Sequence, residues 1–243
     1  MFLYLFFTTV VLQIVWLPFY VDFGFKKIPY TPQKMICSTL FLLGGIFAVI
    51  YSGSPNWYSR LIIIAFVFSW IGDLALAKNS TGWRFVTGLS AFLIAHICYI
   101  VSFYYAGKIL FSETKFISLY EAVGLAVVFI ILLRLKSKLQ IKFGSLAAPV
   151  ALYALAICTM LIKAVSTGMR ALMLHSANAY AIFTLFLLAA VLFVISDAVL
   201  VLILFKNKYS QLTEGINIVT YYIAQMLFAG SIILVNSSAP FIS

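Results

Sequence analysis

Residues 178–205 read NAYAIFTLFLLAAVLFVISDAVLVLILF, 28 positions with a single charged side chain, Asp197. An α-helix needs about 20 apolar residues to cross the hydrocarbon core of a bilayer, and this run exceeds that length. A strand of a membrane barrel would instead show about 10 residues of alternating polarity. The stretch therefore reads as a membrane-spanning helix.

Working outward, similar apolar runs occur at 2–20, 35–52, 59–77, 85–106, 116–134, 144–163 and 215–235. Together these predict about eight spans joined by short connections. Eight spans leave no room for a second, soluble domain in 243 residues. The expected fold is all-α, a polytopic membrane protein formed by one transmembrane domain over 1–243. Pro29, Pro32, Pro55 and Asn56 punctuate turns, whereas Pro149 falls inside the sixth span, where neighbouring helices can absorb a kink.

Composition agrees. The chain is 65% apolar and 9% charged, with a mean hydropathy of +1.13, whereas a soluble domain is nearer half apolar and a quarter charged. A water-soluble globule and intrinsic disorder are both excluded. Cys37, Cys98 and Cys158 each fall in a separate apolar run and read as core thiols, too few for a disulfide scaffold.

Basic residues set the expected orientation, because positively charged loops stay in the cytoplasm. The odd-numbered connections hold 11 Lys and Arg, from Lys26, Lys27 and Lys34 to Lys206 and Lys208, while the even-numbered ones hold 5. Both termini are expected on the non-cytoplasmic side. The net charge of +10 follows this loop pattern, so a nucleic-acid partner is not expected. Nor does the sequence point to an obligate protein partner. The first span lacks a basic leader and a small-residue cleavage site, so it is expected to be a retained helix.

Six acidic residues are present, of which Asp22, Glu113, Glu121 and Glu214 fall near span ends, where water or headgroups can solvate them. Asp73 and Asp197 lie inside spans. A carboxylate at mid-membrane costs about 2.5–3.5 kcal/mol on insertion scales, so such a residue marks a protein interior or a wet cavity. At 1.5 Å per residue, Asp73 is about 7 Å from Lys78, Asp197 about 14 Å from Lys206 and His96 roughly 18 Å from Arg84. All three are expected toward the cytoplasmic half, lining one cavity. Phe85, Gly88, Phe92, His96 and Tyr99 recur at steps of three and four along one helical face, where Gly88 would admit a close helix neighbour. Tyr221 and Gln225 share a face of the last span, with Tyr222 beside them.

Two histidines are too few for a zinc site of the usual kind. Phosphate-loop, dinucleotide and nucleophile-elbow glycine patterns are absent. No cofactor or metal is expected.

The segments SWIGDLALA, RFVTGLSAFLIAHICYIVSF, VLFVISDAVLVLILF and TYYIAQMLFAGS together resemble the YhhN-like lysoplasmalogenase family of integral membrane proteins. The resemblance runs from about 69 to 231. It is carried by Asp73, His96, Tyr99, Ser196 and Asp197, with Tyr221, Tyr222 and Gln225 matching the last helix. One departure is Ala190-Val191, where the family pattern has Gly-Ala, a difference that concerns packing.

The resemblance implies hydrolysis of the vinyl ether bond of lysoplasmalogens, releasing a fatty aldehyde and glycerophosphoethanolamine or glycerophosphocholine. A lysoplasmalogen lipid and the bilayer itself are then the expected partners, in a bacterial inner membrane or an endoplasmic-reticulum-type membrane. It further implies Asp73 and Asp197 as the acid and base pair, with His96 assisting. Tyr99, Ser196, Tyr221, Tyr222 and Gln225 become candidate substrate contacts. Lys78, Arg84, Lys206 and Lys208 could contact the lipid phosphate, although the loop-charge rule already accounts for them. The same residues leave open a proton-coupled transporter or a lysolipid-binding protein.

Overall fold

A computed structural model of the chain describes residues 1–25, 31–53, 55–77, 82–111, 114–139, 144–206 and 209–238. They form α1 (Phe2–Phe25), α2 (Thr31–Ser52), α3 (Trp57–Leu76), α4 (Trp83–Leu110), α5 (Leu119–Leu139), α6 (Ala147–Met173), α7 (Ala179–Lys206) and α8 (Gln211–Ser237). A 3₁₀ turn, Gly144–Leu146, precedes α6, and the described residues contain no strand. Lys26, Lys27, Pro29, Lys78, Glu113, Lys142 and Lys208 lie outside the described residues.

Every described helix except α5 is long and apolar enough to cross a membrane, seven in all. The chain is an all-α, multi-pass integral membrane protein. Here α5 departs from the sequence expectation of eight comparable spans. It carries Glu121 near its start and Arg134, Lys136 and Lys138 near its end, leaving 12 uncharged residues over 122–133.

Position supplies what composition withholds. Lys163 of α6 reaches Glu121 Oε1 at 3.1 Å and donates to the Phe116 carbonyl at 2.7 Å, so the α5 carboxylate is neutralised where it is buried. Ser166 donates to Tyr120 at 3.2 Å, and Gly124 faces Ile162, so α5 runs antiparallel to α6. The guanidinium of Arg170 stacks on Phe111 at 4.9 Å, which puts the ends of α4 and α6 together. Thus α5 leads the chain from that end of the bundle back to the other.

α8 is the hub and packs against α1, α2, α3, α4 and α7. The remaining neighbours also alternate in direction: Thr9 meets Gly44, Leu76 meets Gly88, and Phe6 meets Gly230. Phe2 and Ser237 consequently lie at the same end of the bundle. At that end Asn56 caps α3, accepting from the Ser59 amide at 3.0 Å and donating to Asn236 Oδ1 at 2.7 Å. Asn236 in turn donates to Ser52 at 2.8 Å, which clasps α2, α3 and α8 together.

Glycines set the closeness of α3 and α4. A Cβ on Gly88 would fall 2.6 Å from Leu76 Cγ, and one on Gly72 would fall 2.7 Å from the Phe92 ring. Two prolines behave differently from the sequence expectation. Pro32 lies within the first turn of α2, and Pro149 within the first turn of α6. A first-turn residue has no intrahelical N–H acceptor to lose, so neither proline breaks or kinks its helix.

Candidate functional site

At the end of the bundle where α3 and α7 finish and α8 begins, the helices enclose a cavity of about 220 Å³. Both Asp73 and Asp197 line it. Asp73 is brought there by the last turns of α3 and is 2% exposed. Its Oδ2 accepts from Ser38 at 2.7 Å and from Tyr221 at 2.9 Å, and Lys34 Nζ lies 3.2 Å from Oδ1. Lys34 and Ser38 stand one turn apart on α2, so a single helix face delivers both a cation and a hydroxyl. Ser38 is also 3.2 Å from the Tyr222 hydroxyl, which donates to the Lys34 carbonyl. An ionised carboxylate needs this kind of surrounding, several donors and one positive charge, to persist inside a membrane.

Asp197, on α7, is set differently. Its Oδ2 accepts a hydrogen bond from the Tyr153 phenol of α6. The nearest basic nitrogen the structure shows for it is His96 Nε2, 3.9 Å from Oδ2, too long for a hydrogen bond. The His96 Nδ1–H donates to the Phe92 carbonyl at 2.7 Å, and Nε2 has no hydrogen-bond partner among the described residues. A neutral ring donating from Nδ1 carries its lone pair on Nε2, the nitrogen 3.9 Å from Asp197 Oδ2. His96 is fully buried and sits behind Asp197, outside the cavity wall.

The remaining sequence candidates divide. Tyr221 and Tyr222 line the cavity, and so does Ser196. The Ser196 hydroxyl, however, donates to the Asn217 carbonyl at 3.1 Å, and Asn217 Nδ2 returns to Ser196 O and Oγ at 2.8 and 2.9 Å. That exchange locks α7 to α8. Tyr99 and Gln225 do not reach the cavity. The Tyr99 hydroxyl donates to Gln225 Oε1 at 2.6 Å, and the Tyr99 ring stacks on Phe228 at 4.4 Å, so the pair forms a polar contact within the core beneath it.

Of the basic residues considered for the phosphate, Arg84 and Lys206 are absent from the cavity wall, and Lys78 and Lys208 lie outside the described residues. Among the described residues that line the cavity, Lys34 is the cation. Lys34, Ser38 and Tyr153 are the residues sequence reasoning missed. Lys34 reads in sequence as a loop charge, and its spacing of four from Ser38 is the signal that points to the site. Tyr153 had none, being one of 14 tyrosines in an aromatic-rich chain.

The fold and the cavity define a class: a multi-pass integral membrane protein with two buried aspartates facing one chamber at an end of the helix bundle. The chain belongs to the YhhN family, whose model matches residues 31–232. The match takes in α2 to most of α8 and every cavity residue except Tyr20. No curated protein and no solved structure matches the chain.

Proposed function

We propose that this member of the YhhN family is a lysoplasmalogenase, an ether-bond hydrolase of lipid metabolism that cleaves the vinyl ether of a lysoplasmalogen by acid and base catalysis. The observation that carries the reading is that Asp73 and Asp197 face one cavity from unlike surroundings. Vinyl ether hydrolysis asks for such a pair. A proton adds to the β-carbon of the C=C–O unit, the α-carbon becomes an oxocarbenium ion, and water adds there to give a hemiacetal. The hemiacetal then breaks its C–O bond to the glycerol, releasing aldehyde and the glycerophospho-headgroup alcohol. One water is consumed and no net proton.

Asp197, with one phenol as its close partner, is assigned the donor of the proton to carbon. Asp73, held by Lys34, Ser38 and Tyr221, is assigned the carboxylate that stabilises the cation and accepts the proton of the incoming water. The division resembles that of glycosidases in the charge that develops, not in fold. His96 does not touch the chamber and stands 3.9 Å from Asp197 Oδ2, so it is assigned a positioning role through Asp197. Lys34 is the cation available to the lipid phosphate. Leu200, Ile203 and Leu204 of α7 provide an apolar wall to the chamber on the α7 side.

Aldehyde release from an alkenyl lysolipid by detergent-purified protein tests the activity, with the saturated alkyl ether as comparison. The alkenyl lipid is expected to turn over and the alkyl ether to remain intact, since it has no double bond to protonate. Cleavage of the alkyl ether would overturn the mechanism. Flux of lipid into sealed vesicles without chemical turnover would favour transport instead.

A further inference from the structure

One carboxylate in the cavity wall is unused by this chemistry. Glu214, in the first turn of α8, sits where a span end predicts a solvated acid, yet it is 9% exposed and lines the chamber. Tyr209, in the connection from α7, donates to its Oε2. Among the described residues this is the hydrogen bond the side chain accepts, and one leaves most of the acceptor capacity of a carboxylate unfilled. One turn on, Asn217 spends its Nδ2 hydrogens on Ser196, which leaves its Oδ1 as an acceptor in the same wall. Glu214, Asn217, Ile218, Tyr221 and Tyr222 follow at helical spacing, and all five line the chamber. One face of α8 thus runs from two acceptors inward to the Tyr221 hydroxyl on Asp73.

We propose that Glu214 and Asn217 bind a primary ammonium on the substrate headgroup, so that the cavity selects an ethanolamine-type lysolipid over one without an amine or with a quaternary one. The inference rests on the lysoplasmalogen reading above and adds the headgroup to it. Three N–H donors of a primary ammonium match a carboxylate and an amide carbonyl, whereas a quaternary ammonium offers them no hydrogen. Length agrees as well. Seven residues of helix separate Glu214 from Tyr221, about 10 Å. The nine bonds from the amine nitrogen to the vinyl ether oxygen span roughly 10–11 Å when extended, since three backbone-like bonds cover about 3.3–3.6 Å. An amine at Glu214 therefore puts the ether beside the aspartates, with the phosphate between them in the chamber that Lys34 also lines.

The test compares kcat/KM for alkenyl glycerophosphoethanolamine, alkenyl glycerophosphocholine and alkenyl glycerophosphate, using wild type and Glu214→Gln. Wild type is expected to prefer the ethanolamine lipid over the amine-free lipid by roughly ten- to a hundredfold, the usual worth of a charge-assisted hydrogen bond. Glu214→Gln is expected to bring that ratio close to one. A wild-type ratio near one, or a preference for choline, overturns the proposal whatever the variant does. So does a ratio that survives in folded Glu214→Gln. If wild type releases aldehyde from none of the three, the hydrolase reading fails. Calorimetric binding of glycerophosphoethanolamine against glycerol 3-phosphate then decides the amine site: tighter binding of the amine that is lost in Glu214→Gln supports it, and equal binding overturns it.

Discussion

Replacing Lys34 with Met keeps most of the side-chain volume and removes the positive charge 3.2 Å from Asp73 Oδ1. Asp73 is 2% exposed and, among the described residues, retains Ser38 and Tyr221 as donors after the change. Breaking a fully buried pair costs about 3–5 kcal/mol. Lys34 is 15% exposed and faces the chamber, so solvent screens part of the pair and roughly 1–3 kcal/mol of destabilisation is expected. Asp73→Asn alone strands the lysine near a neutral amide, whereas the double variant strands neither charge. The cycle of two single variants and one double should therefore show a coupling of about 1–2 kcal/mol. Unfolding by SDS in mixed micelles measures it without relying on any activity. Effects that add to within about 0.5 kcal/mol would refute the reasoning, because they would mean that Lys34 does not hold the Asp73 charge.

Tyr153→Phe removes the donor to Asp197 and keeps the ring that packs on His96 at 5.1 Å. Aldehyde release is expected to fall roughly ten- to a hundredfold with the fold retained, and unchanged turnover would remove Tyr153 from the site. Gly88→Ala places a Cβ 2.6 Å from Leu76 Cγ and is expected to destabilise by about 1–3 kcal/mol. Gly124→Ala, whose Cβ would meet Ile162 at 3.6 Å, should be neutral or mildly stabilising in the same unfolding assay. Equal losses at the two glycines would contradict the packing described between α3 and α4. Reporter fusions at both ends should report the same, non-cytoplasmic side; reporters on opposite sides would mean that α5 does not cross.

The fold was legible because lipid removes alternatives: an uninterrupted apolar run has one stable form, the helix. Where charges interrupt the run, composition stops being decisive. α5 needs Lys163 from its neighbour to neutralise Glu121, and that partner lies 42 residues away in the chain. The aspartates were legible for the same reason in reverse, since a carboxylate within an apolar span calls for an explanation. Lys34 and Glu214 hid behind expectations that suit span ends in general, a loop cation and a solvated acid. Whether such a residue turns toward water or into a chamber depends on helix rotation, which a sequence window does not record. Tyr99 and Gln225 show the opposite case, polar groups in mid-span whose hydrogen bond to each other lies within the core.

The most direct measurement is aldehyde release from alkenyl glycerophosphoethanolamine by wild type, Asp73→Asn and Asp197→Asn, each normalised to folded protein. With wild type active, both variants are expected to lose on the order of a hundred- to ten-thousandfold, the range of general acid or base catalysis. Wild-type turnover in either folded variant would contradict the assignment of the two aspartates as the catalytic pair.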